Sequence, residues 1–145
     1  HQLTRRQRQM CIRDRSKYGE GSIQNSFKTP LGMHEIKTKI GHDAKENTIF
    51  VARANTNKSA KIIKDVIDTE DDHVTSRILW LDGLELGRNK GEGIDSYNRY
   101  IYIHGTHEEG LIGQKASHGC IRMFNNDVID LFERVQEGTY VLIKA

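Results

Sequence analysis

The residues best suited to chemistry lie close together near the C-terminal end, where the chain reads SHGCIRM from Ser117 to Met123. Cys120 is one of two cysteines, the other being Cys11. A thiolate is the nucleophilic form of cysteine, and nearby imidazole or guanidinium groups lower the thiol pKa and activate it. His118, Arg122 and, upstream, His104 are the groups available for this. Gly119, immediately before the cysteine, lets the backbone turn sharply and leaves amides open to stabilise an oxyanion. One histidine within reach of the sulfur could act as the base. Together these are the parts of a covalent acyl-transfer site. Two other readings stand beside it. Cys120 could be an inert packing residue, or His104, His107, His118 and Cys120 could hold zinc, although the chain has no Cys-x-x-Cys pair. His107, beside Glu108 and Glu109, reads as a solvated loop histidine. Arg122 could equally hold a surface carboxylate, and His34, His42 and His73 have no partners visible in the sequence.

Several elements must position these groups. GMHEIKTKI (32–40) follows a turn at Pro30 and alternates as a strand, with Ile36 and Ile40 inward. TIFVAR (48–53) is rich in β-branched and aromatic residues, while AKIIKDVI (60–67) is too short to assign by period. HVTSRILWL (73–81) reads as a strand closed by a turn at Asp82–Gly83, and the glycine-rich stretch 83–99 as a loop. RYIYIH (99–104) is an apolar strand that delivers His104 at its end. NNDVIDLFERVQEG (125–138) carries an apolar stripe at helical spacing, with Asn and Asp at its start and Gly138 past its end. TYVLIK (139–144) is a closing strand. Five strands and one main helix after the cysteine loop make a β-rich α+β domain.

At 145 residues the chain is the size of one ordinary domain. No apolar run approaches the roughly 20 residues needed to cross a bilayer. The net charge of +2 is unevenly placed: residues 1–15 hold five arginines and one acid, and without them 17 basic and 19 acidic residues remain, a net of −2. The body therefore carries no nucleic-acid footprint. Residues 1–15 lack apolar periodicity and are expected to be a non-native or disordered basic segment, with the domain occupying 16–145.

IYIHGT followed by ASHGCIRM resembles the catalytic signature of the L,D-transpeptidases, the YkuD-like family. SKYGEGSIQNSFKTPLGMHEI and RILWL are similar to further family regions, so the resemblance covers most of 16–145. It implies an L,D-transpeptidase-like mixed sheet or sandwich that lacks the family's first strand or strands, leaving a sheet edge unpaired. It implies that Cys120 is the nucleophile and His104 the proton acceptor and donor, oriented by the backbone carbonyl of Gly105. Ser117, His118 and Gly119 would shape the loop, with the amides of Gly119 and Cys120 near the oxyanion. Arg122 would bind a substrate carboxylate or support the loop. No cofactor or metal is implied. The implied reaction has two steps. Cys120 attacks the carbonyl of the third residue of a peptidoglycan tetrapeptide stem and releases the terminal D-alanine, and an amine then resolves the thioester. Water as acceptor would make the enzyme an L,D-carboxypeptidase. Such substrates lie in the periplasm or cell envelope, and neither an export signal nor a membrane anchor is visible in the sequence. A sortase-like transpeptidase, whose arginine falls well downstream of its cysteine, and a catalytically inactive wall-binding module are the alternatives.

Overall fold

The computed structural model describes residues 21–114, 117 and 119–144. Residues 1–15 with Cys11, and His118, lie outside them.

Strand β1, Gly32–Ile40, buries His34 and Ile36 and exposes Lys37, the period-two pattern of a sheet packed on one face. Its register against the next long strand shifts between Ile36 and Thr38. After that bulge Ile40 is only half-buried, so inward alternation holds for Ile36 and relaxes at Ile40. Strands β2, Thr48–Val51, and β3, Ala54–Ser59, form a hairpin whose two turn residues, Ala52 and Arg53, have φ of 46° and 68°. Positive φ at both central positions is what a tight hairpin turn requires. The sequence ANTNKS of β3 is polar and mostly exposed, so apolar alternation gave no sign of it.

Strand β4, Val74–Gly83, is the centre of the sheet. One edge takes β2 at Val74–Thr75 and β1 from Ile78 onward. The other edge takes β5, Tyr102–Gly105, with His104 opposite Ile78. Strand β6, Ile121–Met123, lies parallel to β5, and β7, Tyr140–Ile143, closes antiparallel to β1. The seven strands form a single mixed sheet. With one α-helix, α1 at Asn125–Arg134, the fold is β-rich α+β. The two strands beyond the five expected are β3 and β6. β6 is only three residues long and sits within the cysteine motif itself. Residues 84–101 form turns, and 60–73 runs without regular structure.

Helix α1 is shorter than the apolar stripe suggested. Val135 is already extended, and Gly138 falls in the turn before β7. The helix buries Val128, Leu131 and Phe132 against Ile36, Leu79, Leu81, Ile103 and Ile121 on one face of the sheet, each apolar side chain contributing about 1.5–3 kcal/mol. A smaller cluster of Phe50, Ile78 and Tyr102 occupies the other face, and Cys120 packs against it. The helix thus leaves that second face to the cysteine.

Candidate active site

The parallel pairing of β5 and β6 assembles the site. Ile103 lies opposite Ile121, and both point into the core under α1. Because successive strand residues face opposite ways, Tyr102 and His104 on β5, and Arg122 on β6, project to the other side. Cys120 immediately precedes β6 and comes beside Tyr102, whose backbone N–H donates to its sulfur at 3.4 Å. The thiol donates to the carbonyl of Tyr100 at 3.3 Å. Gly119 has a φ of 117°, a backbone state open to glycine, and a Cβ there would stand 3.3 Å from the Lys28 carbonyl oxygen. Ser117 is buried and donates its hydroxyl to the Cys120 carbonyl at 2.5 Å, tying the two ends of the loop.

His104 is 1% exposed, and its Nδ1 is hydrogen-bonded to the Gly105 carbonyl. A carbonyl only accepts, so the proton sits on Nδ1 and Nε2 keeps its lone pair. Burial lowers the His104 pKa and Arg122 lowers it further, against the opposing pull of Asp72 and Gly105. The ring is neutral at physiological pH. Gly105 cannot carry a side chain here: a Cβ would stand 2.5 Å from Asn125 Oδ1 and 2.7 Å from the Thr75 carbonyl.

The thiol departs from expectation. Neighbouring cations were expected to lower its pKa, but burial pushes it up to about 12. The Tyr102 N–H, Arg99 and Arg122 act in the lowering direction without offsetting the desolvation, and Asp72 adds to it. Among the described residues its hydrogen bonds run to backbone groups rather than to an imidazole. Cys120 is therefore a neutral thiol in the free protein.

Arg122 is 1% exposed and closes on two acids, Glu108 Oε1 at 2.6 Å and Asp72 Oδ1 at 3.2 Å. Glu108 also accepts from the Thr69 N–H at 2.6 Å and the Thr69 hydroxyl at 2.8 Å. Burial would raise the Glu108 pKa, but these donors and Arg122 outweigh it and hold the carboxyl below the usual range. Beside it, Glu109 accepts from Lys64, from the Asn125 N–H at 2.9 Å and from Asn125 Nδ2 at 2.7 Å. A carboxylate thus caps the first turn of α1, where the helix dipole favours negative charge. Asn125 donates from Nδ2 to the Thr106 carbonyl at 2.9 Å as well, and its Oδ1 accepts from Thr75 and Ser76, each at 2.6 Å.

Two histidine readings need correction. His107 is 6% exposed rather than solvated: its ring packs on His73 with centroids 4.5 Å apart, and its Nε2 meets Thr69 Oγ1 at 3.0 Å. The cause is the 60–73 segment, which folds over the loop and hydrogen-bonds it at Ile63 N to His107 O, 2.8 Å, and Gly110 N to Ile63 O, 3.0 Å. His34 is fully buried, with Nε2 2.8 Å from Ser96 Oγ and Nδ1 3.0 Å from the Gly32 carbonyl. Of the four zinc candidates, His118 lies outside the described residues, and His104 and His107 are engaged as above. Among the described residues no group of three or more His, Cys, Asp or Glu is placed to hold a metal ion. The residues that sequence reasoning missed are Asn125, Glu108, Glu109, Thr75 and Asp72. Only the paired acids of THEEG, just past HG, signalled any of them.

The family model for the YkuD L,D-transpeptidase catalytic domain matches residues 5–143. The chain belongs to that family. Two Bacillus subtilis proteins carrying the L,D-transpeptidase name are similar to this domain: YqjB is 51% identical over 45 residues, 31% of this chain, and YkuD is 43% identical over 61 residues, 39% of this chain. Escherichia coli YbiS, similarly named, is 49% identical over 43 residues, 30% of this chain. These matches span 26%, 37% and 14% of the three relatives' own lengths. A solved L,D-transpeptidase from Mycobacterium smegmatis superposes with a TM-score of 0.48 at 18% identity, covering 86% of this chain and 46% of that one. No helix among the described residues of this L,D-transpeptidase domain is long and apolar enough to cross a membrane.

Proposed function

We propose that the chain catalyses cysteine-dependent acyl transfer on peptidoglycan stem peptides in the periplasm or cell envelope, with Cys120 as nucleophile and His104 as acid and base. The observation that carries this reading is a neutral imidazole held in one tautomer on the strand that pairs with the end of the cysteine loop. Cys120 immediately precedes β6, β6 pairs with the β5 strand that carries His104, and Nδ1 of the imidazole is hydrogen-bonded to the Gly105 carbonyl, so Nε2 keeps its lone pair. A thiol with a pKa near 12 needs a base at the moment of attack. In the first step the Cys120 proton passes to His104 Nε2 while sulfur bonds to the carbonyl carbon of the stem's third residue. The amides of Gly119 and Cys120 hold the oxyanion. Collapse breaks the carbon–nitrogen bond, and His104 returns the proton to the departing amine of D-alanine. In the second step an amine acceptor attacks the thioester, gives its proton to His104, and sulfur leaves and is reprotonated. Water as acceptor would yield the carboxypeptidase instead.

Arg122 supports the loop in this scheme and does not bind substrate, because its side chain is wholly buried on Glu108 and Asp72. Ser117 and His118 shape the same loop. Intact-protein mass after incubation with a tetrapeptide donor tests the reading: a thioester on the parent, absent in Cys120→Ala, is expected. A carbapenem adduct that survives a chelator excludes the zinc alternative. His104→Ala lowers thioester formation by about 10²–10⁴-fold at neutral pH and recovers as pH rises, whereas His118→Ala keeps the parent's pH profile at lower amplitude. The reverse pattern would transfer the base to His118.

A further inference from the structure

Gly105 supplies the carbonyl that fixes the His104 ring, yet glycine is the residue whose backbone is least confined by its own chemistry. A peptide with that freedom turns its carbonyl away unless its neighbours hold it. Strand β5 ends at Gly105, so ladder pairing stops just where the imidazole's partner must be held. Asn125 takes over at that point. A Cβ on Gly105 would stand 2.5 Å from Asn125 Oδ1 and 2.9 Å from Thr75 Oγ1, so the glycine Cα is closed in by the asparagine amide. One residue on, the Thr106 carbonyl accepts from Asn125 Nδ2 at 2.9 Å. The amide thus grips the chain on both sides of the Gly105–Thr106 peptide, whose oxygen the imidazole uses.

The amide that does this is 1% exposed, and every hydrogen-bonding position on it is used. Nδ2 donates to the Thr106 carbonyl and to Glu109 Oε2, the latter at 2.7 Å. Oδ1 accepts from the Thr75 and Ser76 hydroxyls, each at 2.6 Å. Two donors and two lone pairs are the full capacity of a carboxamide. Its orientation is fixed as well. Turned over, the amide would set its oxygen against a carboxylate and a carbonyl, which offer it no proton. A buried polar group satisfied in this way rigidifies what it touches. The start of α1 does not require the side chain, because Glu109 accepts from the Asn125 backbone N–H at 2.9 Å and caps the first turn. The side-chain amide serves the strand end instead.

We propose that Asn125 is a positioning residue for the reaction: by locking the Gly105–Thr106 peptide, it keeps the Gly105 carbonyl on His104 Nδ1 and so holds the base in its Nδ1–H tautomer. The proposal rests on the acyl-transfer reading above, in which Nε2 takes the Cys120 proton. With the peptide loosened, the Nδ1 proton loses its acceptor and the neutral ring divides between its two tautomers. The ring's total proton count is unchanged, but an Nε2 that already carries a proton cannot accept another from the thiol while the ring stays neutral. Asn125 acts through Gly105 and not on the sulfur. Glycine at 105 and asparagine at 125 are therefore one device, since the missing Cβ makes room for the amide and the amide removes the glycine's freedom.

The test uses Asn125→Ala with isotopically labelled histidine ring nitrogens, read by NMR at neutral pH, His104 being identified by the signals lost in His104→Ala. The parent is expected to show a protonated Nδ1 and a bare Nε2, and the variant a mixture of both tautomers. In the same variant kcat/KM for thioester formation on Cys120 from a tetrapeptide donor should fall about 10²-fold, the cost of a displaced reacting group. The loss should lie in kcat rather than KM, and should shrink as rising pH ionises the thiol unaided. Thr75→Val removes one hydroxyl from Oδ1 while keeping the side chain's shape. It should show both changes at smaller size, and it decides the matter if Asn125→Ala does not fold. A folded variant that keeps the parent's single tautomer overturns the proposal, whatever its rate. A loss equal at every pH also overturns it, because a distorted fold and not a misplaced proton would be the cause. Mixed tautomers at the parent's full rate would overturn it too. Mixed tautomers in the variant, with no thioester formed by the parent, would sink the acyl-transfer reading and leave the positioning of His104 standing.

Discussion

The two sides of Cys120 are built on different principles. On the inner side His104, Arg122, Glu108 and Asn125 are each 2% exposed or less, and short hydrogen bonds and ion pairs join β4, β5, β6 and α1 into one network. On the outer side Phe27 and Tyr100 are more than half exposed, and Asn25, Phe27 and Tyr100 all have left-handed backbone. The inner side fixes an imidazole in one tautomer by burial and bonding. The outer side is held by the turns that carry it and stays open to solvent. A buried network needs completeness to be stable, whereas an open cleft needs only a scaffold. Disturbing one side should therefore register mainly in stability, and disturbing the other mainly in binding.

The sharpest contrast between the sides is at the sulfur itself. Burial pushes the thiol from 9.0 to about 12, so its thiolate fraction near neutral pH is lower by about a thousandfold than that of an ordinary cysteine. Iodoacetamide alkylation of Cys120 in the free protein is expected to be slow at pH 7 and to climb about tenfold per pH unit beyond pH 9. A rate that levels off below pH 7 would show that the inner-side cations win over desolvation and that the thiolate is preformed.

Next in size is the inner network. Arg122→Met leaves Glu108 buried without its cation, and breaking such a pair costs about 3–5 kcal/mol. Urea unfolding of parent and variant measures it. A loss under about 1 kcal/mol would mean that Thr69 alone satisfies Glu108, and the contrast between the sides would lose its energetic basis.

A comparable effect, about 3 kcal/mol, belongs to the clamp between the sides. Residues 84–101 carry Arg99 and Tyr100, and His34 holds this stretch to β1 through Ser96. Burial lowers the His34 pKa from 6.5 to about 4, against the pull of Gly32, Glu85 and Asp82. The folded pKa lies below the unfolded one, so the neutral ring's contribution is fully present above pH 6.5 and is lost as pH falls toward 4. Urea midpoints at pH 7 and pH 4.5 should differ by most of this amount in the parent, and by much less in His34→Gln.

The same contrast explains what the sequence disclosed. Cys120, Gly119, His104 and Gly105 were legible because chemistry that depends on backbone direction must be written in adjacent residues. β1 and β7 were legible because one face of each is buried and the period shows, and β4 because its run of β-branched and apolar residues is buried almost throughout. Asn125 was read as part of a helix start, yet its side chain serves Thr75 and Ser76, 50 and 49 residues away. No local pattern encodes a contact of that separation. β3 was missed because a polar edge strand, exposed along most of its length, has no period to display. Arg122 was read as binding a substrate carboxylate or supporting the loop, and nothing in IRM reveals that the segment 60–73 folds across the loop and brings Asp72 to it.

The smallest effect separates enforced conformation from mere tolerance on the outer side. Asn25 has a φ of 65°, and asparagine accepts that region better than other side-chain-bearing residues, so little strain is stored there. Asn25→Gly removes the steric cost but widens the unfolded ensemble, and the two nearly cancel, leaving a change of at most about 0.5 kcal/mol. Asn25→Ala keeps a Cβ, loses the local hydrogen bonding that makes asparagine tolerable, and should cost about 1 kcal/mol. Thermal unfolding of the pair measures both. A loss in Asn25→Gly as large as that in Asn25→Ala would mean that the asparagine side chain's bonding, and not its backbone shape, holds this turn, and the outer side would rest on bonding just as the inner side does.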